Sequence, residues 1–261
     1  MDTFKTVLSA QQVSIGYSSK KEIITVANNI NINLKANTLT ALIGANGIGK
    51  STLLRTLTGI QKPLAGIITL NGKDLSSFTS AELAQQLSIV LTESLPPSNL
   101  TVFELVALGR QPYTNWVGSL FDDDLAKIDS ALQLTHIEHL SNKKHFEISD
   151  GQLQKVLIAR ALAQDTPLII LDEPTTHLDL LHKVNLLRLL KNLAHNAGKC
   201  ILYSTHDLDL ALQLSDETIV MSKENFVQDT PKNLIANKVF DMLFDDPNIF
   251  FDENKNGFVV R

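Results

Sequence analysis

Two periodicities divide the chain. Over residues 3–34, apolar and polar positions alternate in short runs, VLSAQQVSIGY and EIITVANNININL, the period-two pattern of antiparallel strands with one buried face. TLTALIG is a compact apolar strand ending in glycine, and KSTLLRTLTG reads as the helix that follows, with Gly59 near its end. GIITLNGKDL predicts a strand and a turn, AELAQQ a short helix, and LSIVL a buried strand. From about 94 to 165 the period lengthens to that of helices. TVFELVALGR predicts one, with Val102, Leu105, Val106 and Leu108 as core positions, and DDDLAKIDSALQL another, with Leu125, Ile128 and Leu132 on one face. Asp122 to Asp124 read as a solvated acidic turn. After 165 strand and helix alternate again: PLIIL, LLHKVNLLRLLKNLA, CILYST, LDLALQL, then short strands and a C-terminal helical piece near 231–243.

Strands alternating with helices predict an α/β fold on a parallel sheet. The antiparallel N-terminal strands form a separate β-subdomain, and the helical stretch is an insertion. A chain of 261 residues with 44% hydrophobic and 20% charged positions can bury one large core. The net charge of −5 gives no sign of a broad electrostatic attraction to nucleic acid and leaves room only for a local basic patch. Cys200 is the single cysteine, so no internal disulfide forms; in KCILYST it reads as a small buried residue. The N-terminus carries an acidic second residue and no apolar core, unlike a signal peptide. No apolar run approaches the ~18–20 residues of a membrane span.

Chemistry concentrates in a few places. GANGIGKS fits G-x-x-x-x-G-K-[ST] at Gly44, Gly49, Lys50 and Ser51, with a strand entering and a helix leaving. Glycines let the backbone turn its N–H groups inward around a β-phosphate, at the positive end of a helix. Lys50 would reach the β/γ-phosphates, and the Ser51 hydroxyl would ligate Mg²⁺. In LIILDEP a buried strand ends at Asp172 and Glu173, at the edge where open parallel sheets bind ligands. Asp172 can hold Mg²⁺ through water, and Glu173 can orient or deprotonate an attacking water. CILYST ends in the same way and presents His206, suited to contact a γ-phosphate and couple it to Glu173. A second turn, EISDGQLQK, also runs a Ser-x-Gly into a helix and also suits an anion.

Taken together, the phosphate loop, ISDGQ, LIILDEP, THLD and STHD resemble, in order and spacing, the ATP-binding cassette ATPases over nearly the whole chain. That resemblance accounts for the two anion turns. In the family, cassettes pair head to tail, and the signature turn of one closes over the ATP of the other. It implies an ATP site formed by Tyr17 stacked on adenine, Gly44, Asn46, Gly47, Gly49, Lys50, Ser51 and Thr52. From the partner copy come Ser149, Gly151 and Gln152, and Asp179 bridges the two sites. Without the family, Tyr17 reads as an edge-strand aromatic. The implied catalytic residues are Glu173, His206 and Lys50, and the implied Mg²⁺ ligands are Ser51, Asp172 and either Thr92 or Glu93.

Two positions depart from the family. Asp150 replaces a glycine of the signature, and Leu91-Thr92-Glu93 stands where a metal-contacting glutamine is expected. LTVFELVALGRQPYTNW resembles the corresponding region of bacterial importers for iron–siderophores, haem and cobalamin. It implies an ATPase subunit docked on an integral-membrane permease at the cytoplasmic face, served indirectly by a solute-binding protein, with no nucleic-acid partner. The alternative is a non-transport cassette such as an iron–sulfur assembly ATPase. Residues 1–261 are expected to form a single nucleotide-binding domain.

Overall fold

The computed structural model of the chain describes residues 5–19, 22–91, 98–176, 178–222, 225–243, 249–252 and 257–260. β1 (Thr6–Ser18) and β2 (Ile23–Lys35) are the alternating N-terminal strands, and β3 (Thr38–Gly44) delivers the chain into α1 (Lys50–Leu57). β4 (Ala65–Leu70) and β5 (Lys73–Asp74) follow, then α2 (Ser80–Ala84) and β6 (Leu87–Val90). The helical stretch supplies α3 (Val102–Ala107), α4 (Asp122–Thr135) and α5 (Asp150–Ala163). Alternation resumes with β7 (Leu168–Leu171), α6 (Leu180–Ala197), β8 (Cys200–Thr205) and α7 (Leu208–Leu214). The chain ends in β9 (Glu217–Met221), β10 (Phe226–Asp229), α8 (Pro231–Ala236), β11 (Ile249–Asp252) and β12 (Gly257–Val260). Two compact units result, one of residues 1–77 and 190–261, the other of residues 78–189.

In the first unit β2, β1, β4 and β5 make an antiparallel sheet in that order. β3 lies between β8 and β9, parallel to both, and β10 runs antiparallel to β9. Every residue of β3 and β8 is buried, as in strands covered on both faces; small hydroxyl residues (Thr38, Thr40, Ser204 and Thr205) are buried with the apolar ones. Cys200 is buried as expected, and burial pushes its thiol far above the ordinary range, so it stays protonated. β11 and β12 form a hairpin that the reading of this segment did not include. Its Phe251 and Phe258 rings lie 5.3 Å apart and each 5.8 Å from buried Phe240, so three separated aromatics hold it.

The second unit pairs β6 with β7 in parallel, from Leu87↔Leu168 to Val90↔Leu171. Here α3, α4 and α5 pack on one another, and Leu105, Val106, Ile128, Leu132, Val156 and Ala159 are among their buried residues. Two core expectations fail at the margins. Leu108 is exposed because α3 ends at Ala107 and a 3₁₀ turn follows, rotating it off the helical face. Leu125 is exposed too, since the buried stripe of α4 runs through Asp124, Ile128, Ala131, Leu132 and Thr135. The acidic turn is also not wholly solvated. Asp124 is buried against Arg110, while Asp122 and Asp123 are exposed.

Candidate active site

The phosphate loop begins where β3 ends and closes at Gly49, the N-cap of α1. Gly49 has φ 113°, a region side chains avoid, and a Cβ there would lie 2.3 Å from Val26 Cγ1. The loop therefore needs glycine twice over, for its dihedral and for the approach of β2. No side chain caps α1, which leaves its first-turn N–H groups and positive end directed at the loop. Lys50 is buried, and its Nζ donates to the carbonyls of Gly44, at 2.9 Å, and Ala45, at 3.3 Å. The ammonium is thus held inside the turn. Ser51 is exposed on the same helical turn.

Register decides what stands beside the loop. Ile43 pairs with Thr205 and Gly44 with Met221, so β3, β8 and β9 end level with one another. His206 follows Thr205 directly and is exposed at that end, next to the chain position that opens the loop. The register thus sets the backbone of His206 beside that of Gly44, whose carbonyl accepts from Lys50 Nζ.

Tyr17 stands at the end of β1 and pairs with Ile24 of β2. β1 pairs with both β2 and β4 earlier in its course, but pairing with β4 stops at Ser14, so Tyr17 is flanked by β2 alone and stands at an open edge. A Cβ at the preceding Gly16 would lie 2.0 Å from the Ile24 carbonyl oxygen, so the strands close tightly here. The Gln61 side-chain amide donates to the Gly16 carbonyl. The Tyr17 ring is 55% exposed, and its hydroxyl lies 3.0 Å from Thr52 Oγ1. A flat, half-open aromatic face on a fixed hydroxyl is what a stacked base requires. Sequence reasoning put Tyr17 and Thr52 in one site without seeing that they touch.

In the second unit, Asp172 continues β7, and its backbone N–H donates to the Val90 carbonyl at 2.8 Å. Its side chain is buried at the strand end. Glu173 turns off the strand with φ 46°, a left-handed conformation that costs a non-glycine residue about 1–2 kcal/mol. Thr176 Oγ1 donates to its carboxylate at 3.2 Å. This hydrogen bond was not foreseen, and a lone threonine three residues on offers no signal for it. Thr92 and Glu93, the alternatives for the missing glutamine, lie outside the described residues.

The second anion turn is a capping box. Ser149 is the N-cap of α5: the Gln152 N–H donates to Ser149 Oγ, and the Ser149 N–H to Gln152 Oε1. Asp150 is exposed on the first turn, outside that exchange. A Cβ on Gly151 would meet Leu178 at 3.4 Å and His182 at 3.9 Å, ordinary contacts, so the fold itself does not demand glycine there. Asp179 accepts from the His182 N–H at 2.9 Å and lies 2.7 Å from His182 Nδ1. Those contacts, the backbone one first, hold its carboxyl below the usual range.

A family model described as ABC transporter matches residues 27–176. The achromobactin transport ATP-binding protein CbrD of Dickeya dadantii is 37% identical over 92% of this chain and 88% of its own length. The iron(3+)-hydroxamate import ATP-binding protein FhuC of Bacillus subtilis is 38% identical over 85% of this chain and 81% of its own. Among solved structures, the dimeric bacterial ABC transporter cassette MJ0796 superposes with a TM-score of 0.74 at 27% identity, covering 86% of this chain and 98% of that one. Its dimeric post-hydrolysis state, bound to ADP and Pi, gives 0.73 over the same shares and at the same identity.

Proposed function

This chain belongs to the ABC transporter family and is an ABC-type ATPase, and from that premise we propose that it is the ATP-hydrolysing subunit of an importer of iron chelates. The geometry of the phosphate loop carries the reading: Gly49 in a glycine-only conformation, an uncapped helix end, and the buried Lys50 ammonium aimed into the turn. The iron-chelate class comes from the relatives' names and from the TVFELVALGRQP segment.

The residues take the following roles. Tyr17 stacks on the adenine. Gly44, Asn46, Gly47, Gly49, Lys50, Ser51 and Thr52 hold the phosphates. Glu173 orients or deprotonates the attacking water, and His206 contacts the γ-phosphate. The Ser51 hydroxyl and the Asp172 carboxylate, hard oxygens, would hold Mg²⁺ on this reading. When bound, the ion would neutralise charge on the phosphates. Two copies pair head to tail, Ser149, Gly151 and Gln152 of one meeting the nucleotide of the other, and Asp179 linking the sites. The dimer works against integral-membrane permease subunits at the cytoplasmic face of the membrane, with the chain acting as one nucleotide-binding domain whose helical subdomain spans 94–165. Among the described residues no helix is long and apolar enough to cross a membrane.

Steady-state ATP hydrolysis and ATP binding by two variants test this. Lys50→Ala should lose nucleotide affinity, since the cation facing the phosphates is gone. Glu173→Gln should keep ATP but turn over about 10²-fold more slowly or worse, the scale of a lost general base. Undiminished hydrolysis by Glu173→Gln would remove the carboxylate from the reaction. The substrate class is tested by ATP-dependent uptake of iron chelates in cells carrying the chain with its permease.

A further inference from the structure

The hydrogen bond between Tyr17 and Thr52 joins a residue assigned to the base and a residue assigned to the phosphates. Tyr17 Oη and Thr52 Oγ1 are 3.0 Å apart, and among the described residues no other hydrogen bond reaches either hydroxyl. Each hydroxyl carries one proton and can accept on its lone pairs. A pair of them shares one proton between its oxygens, so the second proton stays available. A phenol is the stronger donor, because its anion is delocalised and it ionises near pH ~10, far below an aliphatic alcohol. With Tyr17 as the donor, the proton left over is that of Thr52.

Thr52 lies in the first turn of α1, two residues after Lys50. Its side chain is buried, so its rotamer is restricted, and the Tyr17 bond removes the acceptor direction facing β1. Threonines of helices otherwise spend their proton on a carbonyl one turn back. Thr56 and Thr58 in the same region do so, donating to Thr52 O and Leu54 O. Thr52 makes no such bond among the described residues.

We infer, on the reading of this loop as an ATP site, that Tyr17 is a positioning residue for the phosphates as well as a platform for the base. Its hydroxyl donates to Thr52 Oγ1 and so directs the Thr52 proton toward a phosphate oxygen. The two hydroxyls form a relay from β1 into the phosphate loop. Donation by the phenol polarises the Thr52 O–H and strengthens its bond to an anion. Docking of a base on the Tyr17 ring and seating of the phosphates then reinforce each other through a single fixed contact.

Calorimetric titration of the full chain with Mg-ATP and with base-free Mg-tripolyphosphate separates the two roles of Tyr17. Tyr17→Phe keeps the ring and loses the donor. It should weaken both ligands alike, by about threefold, the scale of one neutral hydrogen bond. Thr52→Val should weaken both by about tenfold, as loss of a hydrogen bond to a charged group does. Thr52→Ser should restore binding, and Tyr17→Phe added to Thr52→Val should cost nothing more, because the relay is already broken. Tyr17→Ala should weaken ATP further than Tyr17→Phe and tripolyphosphate no further. Unchanged affinity for ATP in Tyr17→Phe would overturn the relay. A loss for ATP with none for tripolyphosphate would overturn it equally, placing the hydroxyl on the base side. Lys50→Ala without effect on either ligand would instead bring down the reading of the loop as a phosphate site.

Discussion

Arg110 Nε donates to Asp124 Oδ1 at 2.8 Å, and both side chains are buried. The guanidinium also donates to the Ala163 carbonyl at the end of α5, at 2.8 Å, and its carbon sits 4.0 Å from the centre of the Tyr113 ring. One arginine thus ties the 3₁₀ turn after α3 to the start of α4 and the end of α5. A buried pair of this kind is costly to break from one side, because the remaining charge loses its close, buried counter-charge. Asp124→Ala should lower the unfolding free energy by about 3 kcal/mol. Asp123→Ala, exposed and 3.9 Å from the same arginine, should stay within about 0.5 kcal/mol. Denaturant unfolding of the two variants measures the difference, and equal effects would deny the pair its structural role.

The same carboxylate makes a prediction about acid. The Phe121 backbone N–H, then the Arg110 guanidinium, hold Asp124 below its ordinary value of 3.8. A carboxyl with a depressed native pKa stabilises the fold fully above its unfolded value and loses that contribution as pH falls through the native one. Stability of the unaltered chain should therefore fall below about pH 4 more steeply than that of Asp124→Asn. Melting temperatures across pH 3–7 would show it, and parallel curves would argue against it.

Gly47 and Gly49 both have positive φ, at 76° and 113°, but their surroundings differ. A Cβ on Gly47 meets nothing within 4 Å, whereas one on Gly49 would overlap Val26. Gly47→Ala should cost about 1–2 kcal/mol of local backbone strain and still bind nucleotide. Gly49→Ala should abolish ATP binding, because the loop cannot close against β2. Comparable affinities for the two variants would mean that the loop is not held as described.

Ser149 serves its own helix before it serves any partner. Ser149→Ala should cost about 1 kcal/mol, the usual loss of an N-cap. Ser149→Glu places a charge that the helix end tolerates but that a neighbouring γ-phosphate would repel. Added to Glu173→Gln, it should prevent ATP-dependent dimerisation on a sizing column. A dimer that persists unchanged would put the signature turn outside the interface.

Periodicity and local motifs in the sequence by themselves determined most of the architecture. Hydrophobic runs such as TALIG and LIIL suit strands covered on both faces, and GANGIGKST marks a strand–loop–helix because its glycines permit the tight turn that a phosphate loop needs. Those constraints act over a few residues and are therefore written locally. What tertiary structure alone decided depends on positions far apart in the chain. It set the level ending of β3, β8 and β9, which puts His206 beside Gly44. It placed Tyr17 on Thr52 across 35 residues, and buried Asp124 on Arg110 where an acidic run suggested open water. It also formed the terminal hairpin around Phe240, whose three rings are too scattered to signal one another. Side-chain pairs of that kind carry no period and no spacing rule. Only the packed chain brings them within reach.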